Sequence, residues 1–259
     1  MTALPPCAPL SPSHNASALA RRYVAALDGF NIALLDRSDE AFSSSHGLSG
    51  LFLPNISGSL HEARHRIMIV GAETKSWEVL KTGESLNGLD AYVERAMQKH
   101  EKGFRNRLAI TKQDRGRSFW NFVRHVAKQS GSDGLIWANL FCCAWKKKSP
   151  IKSPHFPTIQ HYSNRLLKAQ VEFFAPSVII FANGIASAAA RRAVFPIDGP
   201  GQVCTNSLDF ALSHQIPNRQ LWQFDLNETI RCYRIHHPSS RADGASEARQ
   251  FLLSLLPSA

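Results

Sequence analysis

Acidic residues are scarce in this chain. Twenty Asp plus Glu stand against 30 Lys plus Arg, so the 259 residues carry a formal charge of +10. An excess of that sign disfavours basic partners and favours a polyanion such as nucleic acid. Cysteine is sparse as well. The five thiols, at positions 7, 142, 143, 204 and 232, form an odd set without any CxxC pair. That pattern excludes a disulfide framework and a four-cysteine metal or iron–sulfur site, and it points to a reducing compartment. Cys142 and Cys143 read as small buried residues. No apolar run approaches the roughly 18 residues that cross a bilayer. The N-terminus also has neither the charged nor the apolar region of a secretory leader. A cytoplasmic protein without membrane contact is expected.

What the chain does have is 44% hydrophobic residues, enough for a sizeable core in one large domain or in a domain with an extension. The first 14 residues hold four prolines and three serines or threonines, and a mobile tail is expected there. A helix is predicted from Ser17, as N-cap, to Phe30, with Leu19, Tyr23, Val24, Leu27 and Phe30 near helical spacing. Arg37 to Asn55 reads as a partly packed loop. Residues 1–55 are therefore a tail and helical extension, and 56–259 form the main domain.

From residue 56 onward, strand and helix patterns alternate. Strands are predicted at Ile67–Val70, Leu135–Leu140, Val178–Phe181, Leu221–Phe224 and Ile230–Ile235. Helices are predicted at Leu89–His100, Ser118–Gln129, Tyr162–Phe174, Ile185–Val194 and Glu247–Leu256. In the second of these helices Phe119, Phe122, Val123 and Val126 share one face. Uninterrupted apolar strands separated by helices imply a mainly parallel sheet covered on both sides. Ligands of such sheets bind beyond the carboxyl ends of the strands. Glu73, Asn139, Gly184 and His237 fall at those ends or just past them.

Two of these ends carry chemistry. The first strand runs into Gly71-Ala72-Glu73-Thr74-Lys75, a glycine turn that presents a carboxylate. The last runs into His236-His237-Pro238-Ser239. Between them lies Trp137-Ala138-Asn139-Leu140. In order, spacing and strand context these segments resemble the uracil-DNA glycosylase superfamily, whose first strand ends in a G-Q-D-P-Y-like turn and whose last motif is H-P-S. The resemblance covers roughly residues 56 to 256. It implies a three-layer α/β/α sandwich with a short, mainly parallel four-stranded sheet.

The resemblance also implies roles. Glu73 stands at the water-activating acid, and His237 at the donor that stabilises the departing base. Gly71, Ala72, Lys75 and Asn139 line the base site. Ser239, Ser240 and Arg241 belong to the loop that enters DNA, and Lys146, Lys147 and Lys148 add to the positive footprint. The chemistry suits the residue types. A carboxylate supports the oxocarbenium-like state of glycosidic cleavage, a hydrogen-bond donor stabilises charge flowing into the base, and an amide can read a pyrimidine's polar edge. No metal or organic cofactor is expected. The protein should act as a monomer on DNA.

The departures from the family shape the substrate expectation. Thr74 and Lys75 replace the family's proline and tyrosine, and no aromatic stands where the family places its stacking phenylalanine. Trp77 is the substitute, as a stacking face or as a core side chain. A flexible cation in place of a rigid ring opens the pocket. The implied substrate is uracil or a larger modified cytosine, such as a hydroxymethylated or glucosylated one, in repair or antiviral defence.

Plainer readings stand beside these. Glu73 can serve as an acid near a helix N-terminus, Asn139 as a turn cap, His236 as a strand residue, and the lysine run as a solvated face. A module that binds a modified base without excising it keeps the fold and loses the reaction. His61-Glu62-Ala63-Arg64-His65 matches the H-E-x-x-H zinc pattern. A helix there would have to end at once, because Arg66 to Val70 begins a strand.

Overall fold

A computed structural model describes residues 10–11, 14–111 and 118–259. Most of the tail expected in the first 14 residues therefore lies outside the described residues. Leu10 is buried, and the ring of His14 packs 5.1 Å from that of Phe173.

The chain is α/β, with a six-stranded mixed sheet and helices on both sides. The strands are β1 (Ile67–Gly71), β2 (Leu135–Asn139), β3 (Val178–Phe181), β4 (Cys204–Asp209), β5 (Leu221–Leu226) and β6 (Ile230–Ile235), in the spatial order β2-β1-β3-β6-β5-β4. β2, β1, β3 and β6 are mutually parallel, with Val70 level with Ala138 on one side and Phe181 on the other. Every residue of β1, β2 and β3 is buried, as strands covered on both faces must be.

The expected four-stranded sheet is thus corrected. Its four parallel strands are present, and two antiparallel strands extend them past β6. β5 returns to β6 through a tight connection whose Asn227 and Glu228 adopt left-handed backbone, with φ of +49° and +60°. β4 is an edge strand, and its sequence Cys-Thr-Asn-Ser-Leu-Asp is mostly exposed. It carries no alternation of apolar and polar residues that would betray it.

The helices are α1 (Ala16–Ala26), α2 (Glu40–His46), α3 (Leu89–Leu108), α4 (Ser118–Ser130), α5 (Phe156–Phe174), α6 (Ala188–Val194), α7 (Ala211–His214) and α8 (Ala245–Leu255). α1 begins two residues earlier than Ser17 as N-cap suggests, because Asn15 Oδ1 accepts from Ala18 N–H at 3.0 Å and caps it. Leu19, Tyr23 and Leu27 join the same core as Met68 and Val70. The stretch read as a loop over 37–55 contains α2, with Asp39 as N-cap and Gly47 as its left-handed terminus.

The H-E-x-x-H segment forms no α-helix. A single 3₁₀ turn, Gly58–His61, ends at Glu62, and His65 leads directly into β1. The i, i+4 geometry on which the zinc reading depends is missing. No group of three His, Cys, Asp or Glu side chains among the described residues is placed to hold a metal. Nor is any described helix long and apolar enough to cross a membrane.

Trp77 also needs correction as a stacking face. It is 5% exposed, and its Nε1–H donates to Leu51 O at 3.0 Å. It belongs to an aromatic cluster with Phe52 and Trp137. A ring this buried, with its polar hydrogen satisfied, matches the core reading of Trp77.

Candidate active site at the carboxyl edge of the sheet

The parallel pairing of β1 with β2 continues beyond the strands. Gly71 O accepts from Leu140 N–H and Ala72 O from Phe141 N–H, both at 2.9 Å. These bonds hold the turn that carries Glu73. Gly71 is required here by proximity. A Cβ at this position would stand 2.7 Å from a terminal atom of the Asn139 amide and 3.4 Å from the ring of Phe119.

Asn139 is buried at the end of β2. In the amide orientation that satisfies both of its ends, Oδ1 accepts from Thr74 Oγ1–H at 2.7 Å and Thr74 N–H at 3.2 Å, while Nδ2 donates to Ala138 O at 3.0 Å. The amide is committed to holding the Glu73 turn. Its polar edge faces the protein, as in the turn-capping reading.

Glu73 itself is partly buried. Desolvation raises its pKa above the usual glutamate value, and the ammonium of Lys75 partly opposes the rise. Lys75 is exposed, and Ser76 behind it takes left-handed backbone, φ +55°.

His237 lies two residues past β6. Its Nδ1 accepts from the backbone N–H of Ser239 at 3.2 Å, so that nitrogen carries no proton. Ser239 Oγ, 2.7 Å away, then donates to it, and the hydrogen of the neutral ring sits on Nε2. Burial lowers the pKa of His237, and Lys75 and Arg249 lower it further. The charge of Lys75 thus acts on both Glu73 and His237. The loop beyond is tied by Ser240 N–H to His237 O at 2.7 Å, while Arg241 is exposed.

Phe119, at the start of α4, joins the two halves. Its ring lies against Gly71 and nearly parallel to the His237 imidazole, with centroids 6.3 Å apart and planes inclined by 21°. The helical pattern groups Phe119 with three core residues, yet its partial exposure distinguishes it from buried Phe122 and Val123.

No protein-family model and no curated protein matches this chain.

Two further residues stand at this edge, Gly184, expected there from its place after β3, and its neighbour Asn183. Gly184, φ +76°, follows β3 and abuts His237, whose Cβ would stand 3.5 Å from any Cβ added there. Its neighbour Asn183 is buried, and neither side-chain atom has a hydrogen-bond partner among the described residues. A buried amide left without a partner costs about 1–3 kcal/mol, so Asn183 is an unexplained polar group at this edge.

The lysine run is set apart from these groups. Trp145 and Lys148 exchange two backbone hydrogen bonds, at 3.0 and 2.8 Å. Lys146 and Lys147 between them take left-handed backbone, φ +46° and +58°. All three lysines are exposed. Lys146 and Lys147 line a cleft of about 370 Å³ with Arg37 and the segment Ser76–Glu78, directly behind the Glu73 turn.

Proposed function

We propose that this protein is a monofunctional DNA glycosylase acting on a flipped pyrimidine, either uracil or a larger modified cytosine. What carries the reading is the placement of Phe119 against both Gly71 and His237, which gathers the Glu73 turn and the His237 loop around one aromatic face. β1 and β6 are separated by β3 alone, so their ends lie about 10 Å apart, two strand spacings. Gly184, which follows β3 between them, abuts His237, and we assign the space beside it to one extruded nucleobase.

In this reading the carboxylate of Glu73 orients a water toward the sugar C1′ and stabilises the oxocarbenium-like charge as the glycosidic bond breaks. The bond's electron pair leaves with the base, and the Nε2–H of His237 donates to the base oxygen that receives the charge. The water's oxygen ends on C1′ and leaves an abasic site, with its proton passing to solvent through Glu73. Phe119 stacks on the flipped base. The exposed cations Lys75, Arg241 and Lys146 to Lys148 contact phosphates.

The deciding experiment incubates the protein with DNAs carrying uracil, hydroxymethylcytosine or glucosylated cytosine and identifies released bases by mass spectrometry. Base release by the wild-type protein, reduced roughly 10²–10⁴-fold in Glu73→Gln with DNA affinity kept within a few-fold, is the expected result. Binding without release of any base, equal in both proteins, would instead leave a modified-base binding module.

A further inference from the structure

β5 runs against β6, with Leu221 level with Ile235. The loop before β5 therefore reaches the same sheet edge as His237. There, between α6 and that loop, opens a cleft of about 420 Å³. Four of the residues lining it are arginines, namely Arg191, Arg192, Arg219 and Arg234, and Trp222 contributes an aromatic wall. None of its lining residues is an aspartate or glutamate.

Arg191 is the anomaly. It is 2% exposed, and its Nε and Nη1 have no hydrogen-bond partner among the described residues. Its guanidinium lies 5.2 Å from the ring centroid of Trp222 and 5.5 Å from that of Phe224. Those faces attract a cation but accept none of its in-plane hydrogen bonds. An arginine stays charged when buried, so unpaired guanidinium hydrogens inside a cleft call for an anion.

Arg234 is held differently. Its guanidinium donates to the carbonyls of Arg219 and Asn218, and burial together with Arg191 and Arg192 brings its pKa down to about 10. Like charges have been gathered with no carboxylate among the cleft's lining residues to balance them.

We infer that this cleft is a phosphate-binding site, in which Arg191 supplies the buried donors and Arg192, Arg219 and Arg234 the surrounding positive field. Planar guanidinium forks match the oxygens of a phosphate group in pairs. Ile185 lines the cleft and follows Gly184, the residue that abuts His237. A phosphate seated here therefore borders the catalytic edge. It can belong to a nucleic-acid strand or to a free phosphate or nucleotide. The inference stands whether or not Glu73 is a catalyst.

The test measures the melting temperature during titration with inorganic phosphate, against chloride at matched ionic strength. The wild-type protein is expected to gain about 4 °C at ten times the dissociation constant. Arg191→Met should lose the gain. So should the double variant Arg192→Ala/Arg219→Ala, whose two side chains are exposed and whose folding is not in question. No phosphate-specific gain in the wild type, or a full gain retained in the double variant, would overturn the inference.

Oligonucleotides then separate the sources. Tighter binding of a 5′-phosphorylated strand that vanishes in Arg191→Met identifies a terminal phosphate. A salt slope lowered by about one in that variant, with no preference for the end, identifies an internal phosphodiester. A phosphate gain with neither effect identifies the free anion or nucleotide as the ligand.

Discussion

The ring of Phe119 and the imidazole of His237 face each other at 6.3 Å with planes only 21° from parallel. The first comes from the start of a helix and lies against Gly71, and the second comes from the loop after the last strand and lies against Gly184. In the proposed reading this partly exposed ring is the surface on which the base stacks. Base–aromatic stacking is worth about 1–3 kcal/mol per base, so Phe119→Leu, which keeps apolar bulk and loses the ring, should weaken single-strand DNA binding roughly tenfold. Phe119→Trp should restore it. Fluorescence anisotropy decides, and a leucine variant that binds as well as the wild type would remove Phe119 from the site.

The pH profile follows from opposite shifts. Burial holds Glu73 above the ordinary 4.5 and His237 below the ordinary 6.5. Glu73 must be ionised to act, and protonating Nδ1 of His237 would break its bond from Ser239 N–H. Activity should therefore rise with pH through the interval between these two values and stay level above it. Lys75 lowers both pKa values, so Lys75→Met should move the acid limb to higher pH. Steady-state kcat/KM measured from pH 4 to 8 tests this, and an unmoved limb would show that Lys75 does not face the reacting groups.

Much of this arrangement is legible from residue patterns, and what is not has physical causes. β1, β2 and β3 announce themselves as unbroken apolar runs because both faces of each strand are covered. β4 does not, since an exposed edge strand needs no apolar face. Phe119 is visible as a helix residue, but periodicity cannot separate a core phenylalanine from one that closes a site. Trp77 shows the converse, a motif-adjacent ring whose Nε1–H finds Leu51 O. Arg191 sits in the run Ala-Ala-Ala-Arg-Arg-Ala-Val, where nothing in the pattern distinguishes a buried arginine from its exposed neighbour. Only tertiary packing places one of them under Trp222 and Phe224.

Asn139 offers a sharper test of the base-reading role. Its amide bonds Thr74 and Ala138, so it positions the Glu73 turn. Asn139→Ala should cost about 1–3 kcal/mol of stability and lower base release from every substrate by the same factor. Asn183→Ala removes an amide with no internal partner, costs little stability, and should change the ratio of rates between uracil and modified cytosines. Gly71→Ala should resemble Asn139→Ala, because its Cβ would collide with that amide. Relative rates on two bases, with urea unfolding alongside, separate the roles. Discrimination altered by Asn139→Ala and unaffected by Asn183→Ala would reverse them.

Stability against pH should report on His100. This residue is 1% exposed in the core. Its Nδ1 accepts from Asn55 N–H at 3.1 Å, which leaves the proton on Nε2, 3.0 Å from Trp137 O. Burial brings its pKa down to about 4, from an ordinary 6.5. A lowered pKa means that the unfolded chain takes up the proton first as the medium is acidified. The stabilisation is complete above pH 6.5 and is lost progressively as pH falls toward 4, by about 3 kcal/mol in total. His46, His65, His236 and His237 are shifted the same way and add to the slope. His100→Phe removes this one contribution. It also leaves Asn55 N–H and Trp137 O unpaired, at about 1–3 kcal/mol each. The variant should be less stable at pH 7, yet lose less on going to pH 4.5 than the wild type does. An equal loss of stability in the two proteins across that range would mean that His100 takes up its proton equally in the folded and unfolded chains, and would remove burial as the cause of the shift.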